Sequence, residues 1–524
     1  MKSVSRHVTG AKDAVPVAEP SVPAPRVSSR WAALAFIAAA QLMIALDATI
    51  VNIALPSAQT ALHFSTANRQ WVVTAYTLAF AGLVLLGGRI ADYAGRKRAF
   101  LIGLAGFAVT SAIGGAATNI GMLAGARAAQ GAFAALLAPT TLSLLAVTFT
   151  GNRERAKAFA IYGAIAGSGA AVGLVLGGML AEYVSWRWCL YVNVPVAAIA
   201  AAGAWITLPA DGAGRRQRLD VPGALLASGA LVAFVYACTD AVAAGWASVR
   251  VSGLLGVAAV LLAIFVVVES RVAAPLLPLR IVRERSRAGA QLSVGLSLAG
   301  LLGVYLFLTY YLQAVEHYSP VRAGLAFLPL TAAVQVSAMV IASRLVTRVA
   351  PRALIVPGLA VAAVAMLLLT QLRAGSGYVT HLLPAELLLG AGLGIVFVPA
   401  FNTASRGVDP RDAGVAAAVV NTAQQAGGSI GTALLNTIAA SATIGYFASH
   451  RAGTGAGAAA SQRAAVAAAS AATVHGYAVA AAWAAALVAV AALLAAVMIN
   501  ARAPEATRDS TREEDGTRKE DSTR

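Results

Sequence analysis

Long apolar runs separated by short polar stretches occupy almost the whole chain. Windows long enough to cross a bilayer, which takes about 20 predominantly apolar residues, fall near 31–57, 71–91, 99–118, 120–148, 157–184, 189–208, 221–240, 251–269, 288–313, 323–346, 353–372, 381–404, 413–447 and 473–500. The pattern predicts fourteen membrane-spanning helices. The third and fourth are separated mainly by Asn119 and Gly121, so their turn should be tight. The ends read differently. Residues 1–30 are polar and carry Pro16, Pro20, Pro23 and Pro25, the composition of a disordered tail, and 501–524 is read the same way. The first apolar run is too long for the core of a signal peptide and is expected to stay as a helix.

Composition agrees with a polytopic membrane protein. The 524 residues are 59% hydrophobic and 12% charged, with a mean hydropathy of +0.74, whereas ordinary soluble domains carry about 25% charged residues. The net charge of +17 does not imply nucleic acid, because the cations sit in short loops. Thirty-one of the 39 Lys and Arg residues fall on one side if the N-terminus is inside. Seven fall on the other side: Arg69, Arg187, Arg250, Arg322, Arg373, Arg451 and Arg463. The positive-inside rule then puts both termini inside. Cys189 and Cys238 cannot form a zinc ribbon or a disulfide framework. Their spacing leaves a bridge between them open, and they are read as two independent buried thiols.

An internal repeat organises the spans. The stretch from Gly88 to Lys97 returns in weakened form from Ser343 to Arg352, 255 residues later, and the pair Gly169 and Gly173 returns as Gly427 and Gly431, 258 residues later. Such near-equal offsets indicate duplication. They predict two six-helix bundles, 31–208 and 288–500, with an inserted helix pair and its linkers at 209–287. Parallel repeats with a substrate site between them are a transporter architecture.

Two charges lie deep in apolar spans. Asp47 is the one ionisable residue between Trp31 and Ser57. It sits roughly 15 Å from the Ser57 end at 1.5 Å per residue. Arg127 sits roughly 12 Å below the outer end of the fourth span. An intramembrane charge is costly and is by default a pathway residue, and buried charges are normally paired. Arg127 is therefore expected to control Asp47, directly or through water, either as a proton switch or as a permanent structural ion pair.

The motifs carry a resemblance. Gly88, Asp92, Gly95, Arg96 and Lys97, between the second and third spans, resemble the signature loop of the major facilitator superfamily. Its glycines suit a tight turn, and its cations suit an anionic inner surface. Leu46-Asp47 with Thr49, Ile50, Val51, Asn52, Ala54, Leu55 and Pro56 is similar to the first-helix motif of the fourteen-helix drug:proton antiporters. So is Leu123 with Arg127, Gln130 and Gly131 to their fourth-helix motif. Trp186-Arg187-Trp188 with Asn193 and Pro195 resembles their entry to the sixth helix, and Tyr311-Leu312-Gln313 with Ser319-Pro320 and Ala323-Gly324 the exit of their ninth. One stretch departs. These antiporters carry Gly-Pro before Gly-Gly in the fifth helix, whereas this chain has Gly169, Gly173, Leu174, Gly177 and Gly178. The glycines also suit close helix packing.

The resemblance implies the major facilitator fold and proton-driven export of small amphipathic or cationic compounds by alternating access. Asp47 and Arg127 would couple the proton. The proton gradient would be the energy source, with no cofactor. Asp92 would meet the start of a helix near Asp412-Ala413-Gly414 and latch the inner side. Gln41, Thr49, Asn52, Gln130, Tyr305, Asn421 and Gln424 are candidates for the substrate cavity, with Gln291, Gln335, Asn402 and Gln425 as further polar residues of the second half. Glu386 is placed near the outer end of its helix, so no mid-span acid is expected there. The expected partners are a small-molecule substrate and the lipid bilayer, with no nucleic acid and a monomeric chain, in the cell membrane; a partner beyond that membrane is left open. Transport of a specific metabolite is the alternative, supported by Leu174. A membrane enzyme is disfavoured, because the histidines at 7, 63, 317, 381, 450 and 475 form no ligand cluster and no Ser nucleophile motif is present; with no phosphate loop, ATP is not the expected energy source. The orientation has a direct check. Single cysteines at Ser65, Thr454 and Ser461 should react with an impermeant thiol reagent on intact cells and those at Thr150 and Ser510 should not; labelling of the second pair would overturn it.

Overall fold

A computed structural model describes residues 27–149, 152–208, 220–272, 275, 283–346, 348–405, 408, 413–450 and 458–500. The described secondary structure is helical. Without water inside a bilayer, backbone groups must be satisfied within the helix itself, and the long apolar runs comply. In chain order the helices are α1 (Val27–Leu62), α2 (Thr66–Ala94), α3 (Arg96–Gly115), α4 (Ile120–Thr148), α5 (Asn152–Tyr183) and α6 (Trp188–Thr207). Next come α7 (Val221–Ala244) and α8 (Val249–Arg271). The second set is α9 (Arg285–Val315), α10 (Pro320–Leu345), α11 (Pro351–Leu369), α12, a π turn Tyr378–Leu382 continuing as Leu383–Ser405, α13 (Ala413–His450) and α14 (Ala458–Met498). Among the described residues, 12 helices are long and apolar enough to span a membrane, and shorter apolar stretches, Trp71–Val84 and Ala171–Tyr183, lie in α2 and α5. This is compatible with the fourteen expected spans. The chain is an integral membrane protein. Large apolar side chains such as Ile199, Trp205, Ile206, Val340 and Leu493 are exposed on the helix exteriors, as a lipid-facing surface requires.

Two large cores form. One draws on α1–α6 and is centred on Phe100, Leu104, Phe107, Leu137 and Phe149; the other draws mainly on α9–α14, around Phe327, Leu359, Met366, Leu393 and Val488. The glycine pairs of the repeat do the same work in each set. A Cβ at Gly169 would meet Ala45 of α1 at 2.7 Å, and one at Gly173 would overlap the Thr49 hydroxyl. In the second set a Cβ at Gly427 would overlap the Gly295 carbonyl of α9, and one at Gly431 the backbone of Ala299. Thus α5 lies on α1, and α13 on α9, through glycines that let the backbones approach.

The inserted pair has a defined seat. α7 lies across the seam between α2 and α13. The Ser228 hydroxyl donates to the Gly82 carbonyl at 2.9 Å, and the Thr437 hydroxyl donates to the Cys238 carbonyl at 2.7 Å. Leu78, Val235, Cys238 and Ala433 bury one another there. α8 packs mainly on α7 and otherwise shows its apolar side chains outward. Cys189 and Cys238 are both buried free thiols. At the tight turn after α3, the Asn119 side chain caps α4 by accepting from the Met122 N–H at 2.9 Å.

A glycine that separates two backbones by less than a methyl group cannot be enlarged without moving a helix. Gly173→Leu should destabilise the protein by about 1–3 kcal/mol, the range for overpacking. Gly125→Leu, on a surface where nothing lies within 4 Å of an added Cβ, should be near neutral. Thermal unfolding in detergent monitored by size exclusion checks both.

Candidate functional site

Asp47 meets Arg127 inside the first core. Arg127 Nη1 donates to Asp47 Oδ2 at 2.5 Å, and the two residues are 2% and 0% exposed. The other carboxylate oxygen is not left bare. Asp47 Oδ1 accepts from Asn193 Nδ2 at 2.8 Å and from Gln130 Nε2 at 3.3 Å. The guanidinium is held in turn. Arg127 Nε donates to the Val72 carbonyl at 3.2 Å, Nη1 also donates to Gln130 Oε1 at 3.0 Å, and the group lies 4.3 Å above the Tyr76 ring. Gln130 Nε2 also donates to Ser111 Oγ at 2.6 Å.

Each side chain comes from a different part of the fold. Asp47 is on α1, Val72 and Tyr76 on α2, Ser111 on α3, Arg127 and Gln130 on α4, and Asn193 at the start of α6. Gln130 is one helical turn after Arg127, so both project from the same face of α4. Its amide has two hydrogens and an acceptor oxygen. Here the hydrogens go to Asp47 and Ser111, and the oxygen takes Arg127. A buried pair survives only when its remaining hydrogen-bonding capacity is met, and the two amides meet it. The arrangement holds an ionised carboxylate in an apolar surrounding, and a proton delivered to Asp47 would cancel the charge that Arg127 faces.

The depth count anticipated this pairing. It did not anticipate Asn193, Ser111 or Tyr76. Asn193 lies four residues into the sixth apolar run, 189–208, about 6 Å below its outer end at 1.5 Å per residue, which places a polar side chain in the same half of the membrane as Asp47.

The cavity candidates are dispersed. Gln130, grouped with them from sequence, is fully buried in the Asp47 cluster. Gln41 accepts from the Tyr162 hydroxyl at 2.6 Å, and Tyr162 meets Thr141 Oγ1 at 2.8 Å. Thr49 is buried against α5, bonded to the Leu46 carbonyl at 3.1 Å. Asn52 is buried with its side-chain oxygen unpartnered. Tyr305 is buried against Phe327, with ring centroids 5.2 Å apart. Asn421, Gln424 and Gln425 on α13 and Gln335 on α10 are half-buried; Gln291 is buried and Asn402 exposed.

In the signature loop, Gly95 joins α2 to α3 with φ of +95°, a region that favours glycine. The closest backbone approach is at Gly87, where a Cβ would overlap the Ala135 carbonyl, whereas at Gly88 it would touch Pro139 at an ordinary 3.5 Å. Lys97 does not simply extend toward an anionic surface. Its Nζ donates to the Trp205 and Leu208 carbonyls, each at 2.7 Å, because the last carbonyls of a helix lack intrahelical donors. Arg96 begins α3. The side chain of Asp92 and residue Asp412 lie outside the described residues, and with them the expected inner latch.

Gly177 and Gly178 face opposite ways. Gly177 abuts Ile50 of α1. Gly178 abuts α10, where a Cβ would lie 2.6 Å from the Pro320 carbonyl, and a Cβ at Gly324 would in turn overlap the Leu174 carbonyl. Leu174 is therefore the point at which α5 meets the second set of helices. Glu182 Oε2 accepts from the Val321 N–H at 2.9 Å, at the N-terminus of α10. Nearby, Tyr310 donates to Gln59 Oε1 at 2.9 Å, Gln313 donates to the Ile53 carbonyl at 3.2 Å, and the Arg69 guanidinium lies 3.8 Å above the Tyr310 ring and reaches Asn436 at 3.5 Å. These hydrogen bonds join α1–α6 to α9–α14 at one end of the molecule, the end that the Lys and Arg distribution assigns outside.

A family model, Major Facilitator Superfamily, matches residues 37–432. The chain is 51% identical over 480 residues to the puromycin resistance protein pur8 of Streptomyces alboniger, covering 91% of this chain and 93% of that one. It is 38% identical over 423 residues to the cephamycin export protein CmcT of Amycolatopsis lactamdurans, covering 80% and 87%. Among solved structures, a bacterial homologue of the human lysosomal transporter Spinster, in an inward-facing and unoccupied conformation, superposes with a TM-score of 0.64 at 15% identity, covering 90% of this chain and 98% of that one. With a family match over most of its length and a relative 51% identical over 91% of it, the chain belongs to the major facilitator superfamily and is a transporter rather than an enzyme.

Proposed function

We propose that the chain exports small amphipathic or cationic compounds, of the kind that its relatives' names indicate, in exchange for protons. The observation that carries this is the Asp47–Arg127 pair, fully buried and tied to α2, α3 and α6 as well as to its own helices. With the outer end held shut by α10 on α5 and by Tyr310 and Arg69, the conformation reads as the inward-facing side of an alternating-access cycle. Asp47 is ionised and shielded in it. Opening of the outer end would part the first set from the second and admit water, and with it a proton, toward the carboxylate. Neutral Asp47 would then hold Arg127 and the Asn193 amide less tightly, which converts proton binding into helix movement.

The remaining assignments accompany this reading. The two six-helix sets, 31–208 and 288–500, act as the moving bodies, with α7 spanning the seam. Asn421 and Gln424 are the candidates best placed to meet substrate. The protein works as a monomer in the cell membrane with both termini inside, and with no nucleic-acid partner. The metabolite-transport alternative rests on Leu174. That residue lies at the α5–α10 crossing, so its effect falls on the outer closure as much as on substrate choice.

Asp47→Asn tests the coupling. Asn is nearly isosteric but cannot titrate. It leaves Arg127 without a counter-charge, and breaking a buried pair can cost about 3–5 kcal/mol, so folding is verified first. In proteoliposomes under an imposed pH gradient, substrate export should fall to the protein-free rate. Asp47→Glu should keep part of it with a shifted pH profile. Export by the Asn variant at the wild-type rate would remove Asp47 from the coupling step.

A further inference from the structure

The second set of helices contains one buried acid to which sequence reasoning assigned no part. Glu386, in the first turn of the α-helical part of α12, is 1% exposed. Among the described residues no Lys, Arg or His nitrogen lies within 4.0 Å of its carboxyl group. One oxygen, Oε1, is buried without a hydrogen-bond partner. The other lies 3.1 Å from the Tyr378 hydroxyl, and that hydroxyl lies 2.7 Å from the Ala326 carbonyl of α10. Among the described residues, the titratable groups facing the site are Tyr378 on the π turn, Tyr305 on α9 and, beside Tyr378, Tyr318. The nearby cation Arg322 is stacked on Tyr318, 3.8 Å from its ring centre, and His381 is exposed and bonded to Thr380.

Hydrogen counting decides what this triad is. A tyrosine has a single hydroxyl hydrogen. The Ala326 carbonyl can only accept, so at 2.7 Å it takes that hydrogen. The Tyr378 oxygen then presents a lone pair to Glu386, and the contact is attractive only if Glu386 supplies a hydrogen of its own. An ionised carboxylate here would either face the Tyr378 lone pair or take the Tyr378 hydrogen away from the Ala326 carbonyl, with nothing on its other oxygen and no cation beside it, an arrangement that burial penalises. We propose that Glu386 is a second proton-binding site, separate from Asp47, and that its proton holds the outer closure in place through Tyr378 and Ala326.

The link to the closure is direct. Ala326 ends the first segment of α10, Pro320–Ala326. That same segment carries Pro320, Val321 and Gly324, which pack on Gly178, Glu182 and Leu174 of α5. With Glu386 protonated, Glu386 donates to Tyr378 and Tyr378 donates to Ala326. When the proton leaves to water, the Tyr378 hydrogen turns to the carboxylate and the Ala326 carbonyl loses its donor. One O–H bond breaks at Glu386, the Tyr378 O–H bond stays intact, and the tie on the α10 segment is lost. An acidic outer face would thus favour the closed outer end.

The proposal rests on the alternating-access reading, and its test is separable from export. Infrared difference spectra of the purified protein in lipid, wild type against Glu386→Gln, should show at neutral pH the carbonyl stretch of a protonated acid that the variant lacks. Tyr378→Phe should shift that band, and Asp47→Asn should leave it unchanged. A carboxylate signature at Glu386 in place of the acid band overturns the proposal, whatever the export assay gives. Spin labels on the lipid-facing Tyr183 and Leu325 then report the approach of α10 to α5. Their separation should lengthen in wild type as pH rises and stay short in Glu386→Gln, which mimics the protonated acid. A wild-type separation that does not change with pH, or a Glu386→Gln response equal to wild type, overturns the link to the closure.

Discussion

An ionised carboxylate in a medium without water keeps its charge only if the protein replaces its hydration shell. Asp47 obtains that shell from three donors, Arg127, Asn193 and Gln130, and each comes at the expense of a fixed helix position. Arg127 must in turn be satisfied, and it takes the Val72 carbonyl and the Tyr76 ring. A single acid therefore sets the mutual placement of α1, α2, α4 and α6, with α3 added through Ser111. This follows from low dielectric, in which a paired charge is held firmly and an unpaired one is intolerable.

The helices that carry this cluster must still be able to move as a body. Glycine makes that compatible with tight packing. α5 on α1 and α13 on α9 meet backbone to backbone, through positions where even a methyl group would overlap. Without a hydrophobic driving force between helices in lipid, such close van der Waals contact is the main source of association. The contacts between the two sets of helices differ in kind. At the outer end they are a few hydrogen bonds, a cation over a ring, one small-residue crossing and an apolar cluster that takes Leu306 and Tyr310 of α9 into the first set. Contacts of this sort can be broken and remade, whereas the glycine interfaces within each set cannot be without unpacking a core.

Asp47 and Glu386 illustrate one rule with opposite outcomes. Asp47 is surrounded by donors, so its charged form is the one that the site satisfies. Glu386 faces one hydroxyl, whose hydrogen the Ala326 carbonyl takes, so the site satisfies its neutral form. Their helices belong to different halves of the repeat, and the repeat does not carry either acid across. The glycine spacing that packing needs recurs in both halves of the chain, whereas the two acids do not.

The sequence by itself determined the membrane character, the helix pattern and the repeat, because these depend on hydropathy and spacing along one chain. It also determined that Asp47 and Arg127 lie at matching depth, since helical rise converts residue count directly into depth. Depth does not determine azimuth. The sequence could not show that Asn193 and Ser111 turn toward Asp47, that Gln130 belongs to the ion pair rather than to a cavity wall, or that Thr49 faces α5. Lys97 read as a surface anchor, yet it caps the end of α6, because that end lies beside it only once α3 and α6 have packed. Glu386 looked peripheral by its distance from the helix end, but α9, α10 and the π turn cover it. Burial of a side chain is a property of what packs over it, so only the tertiary structure could decide which polar residues are sealed from water and which proton each of them can hold.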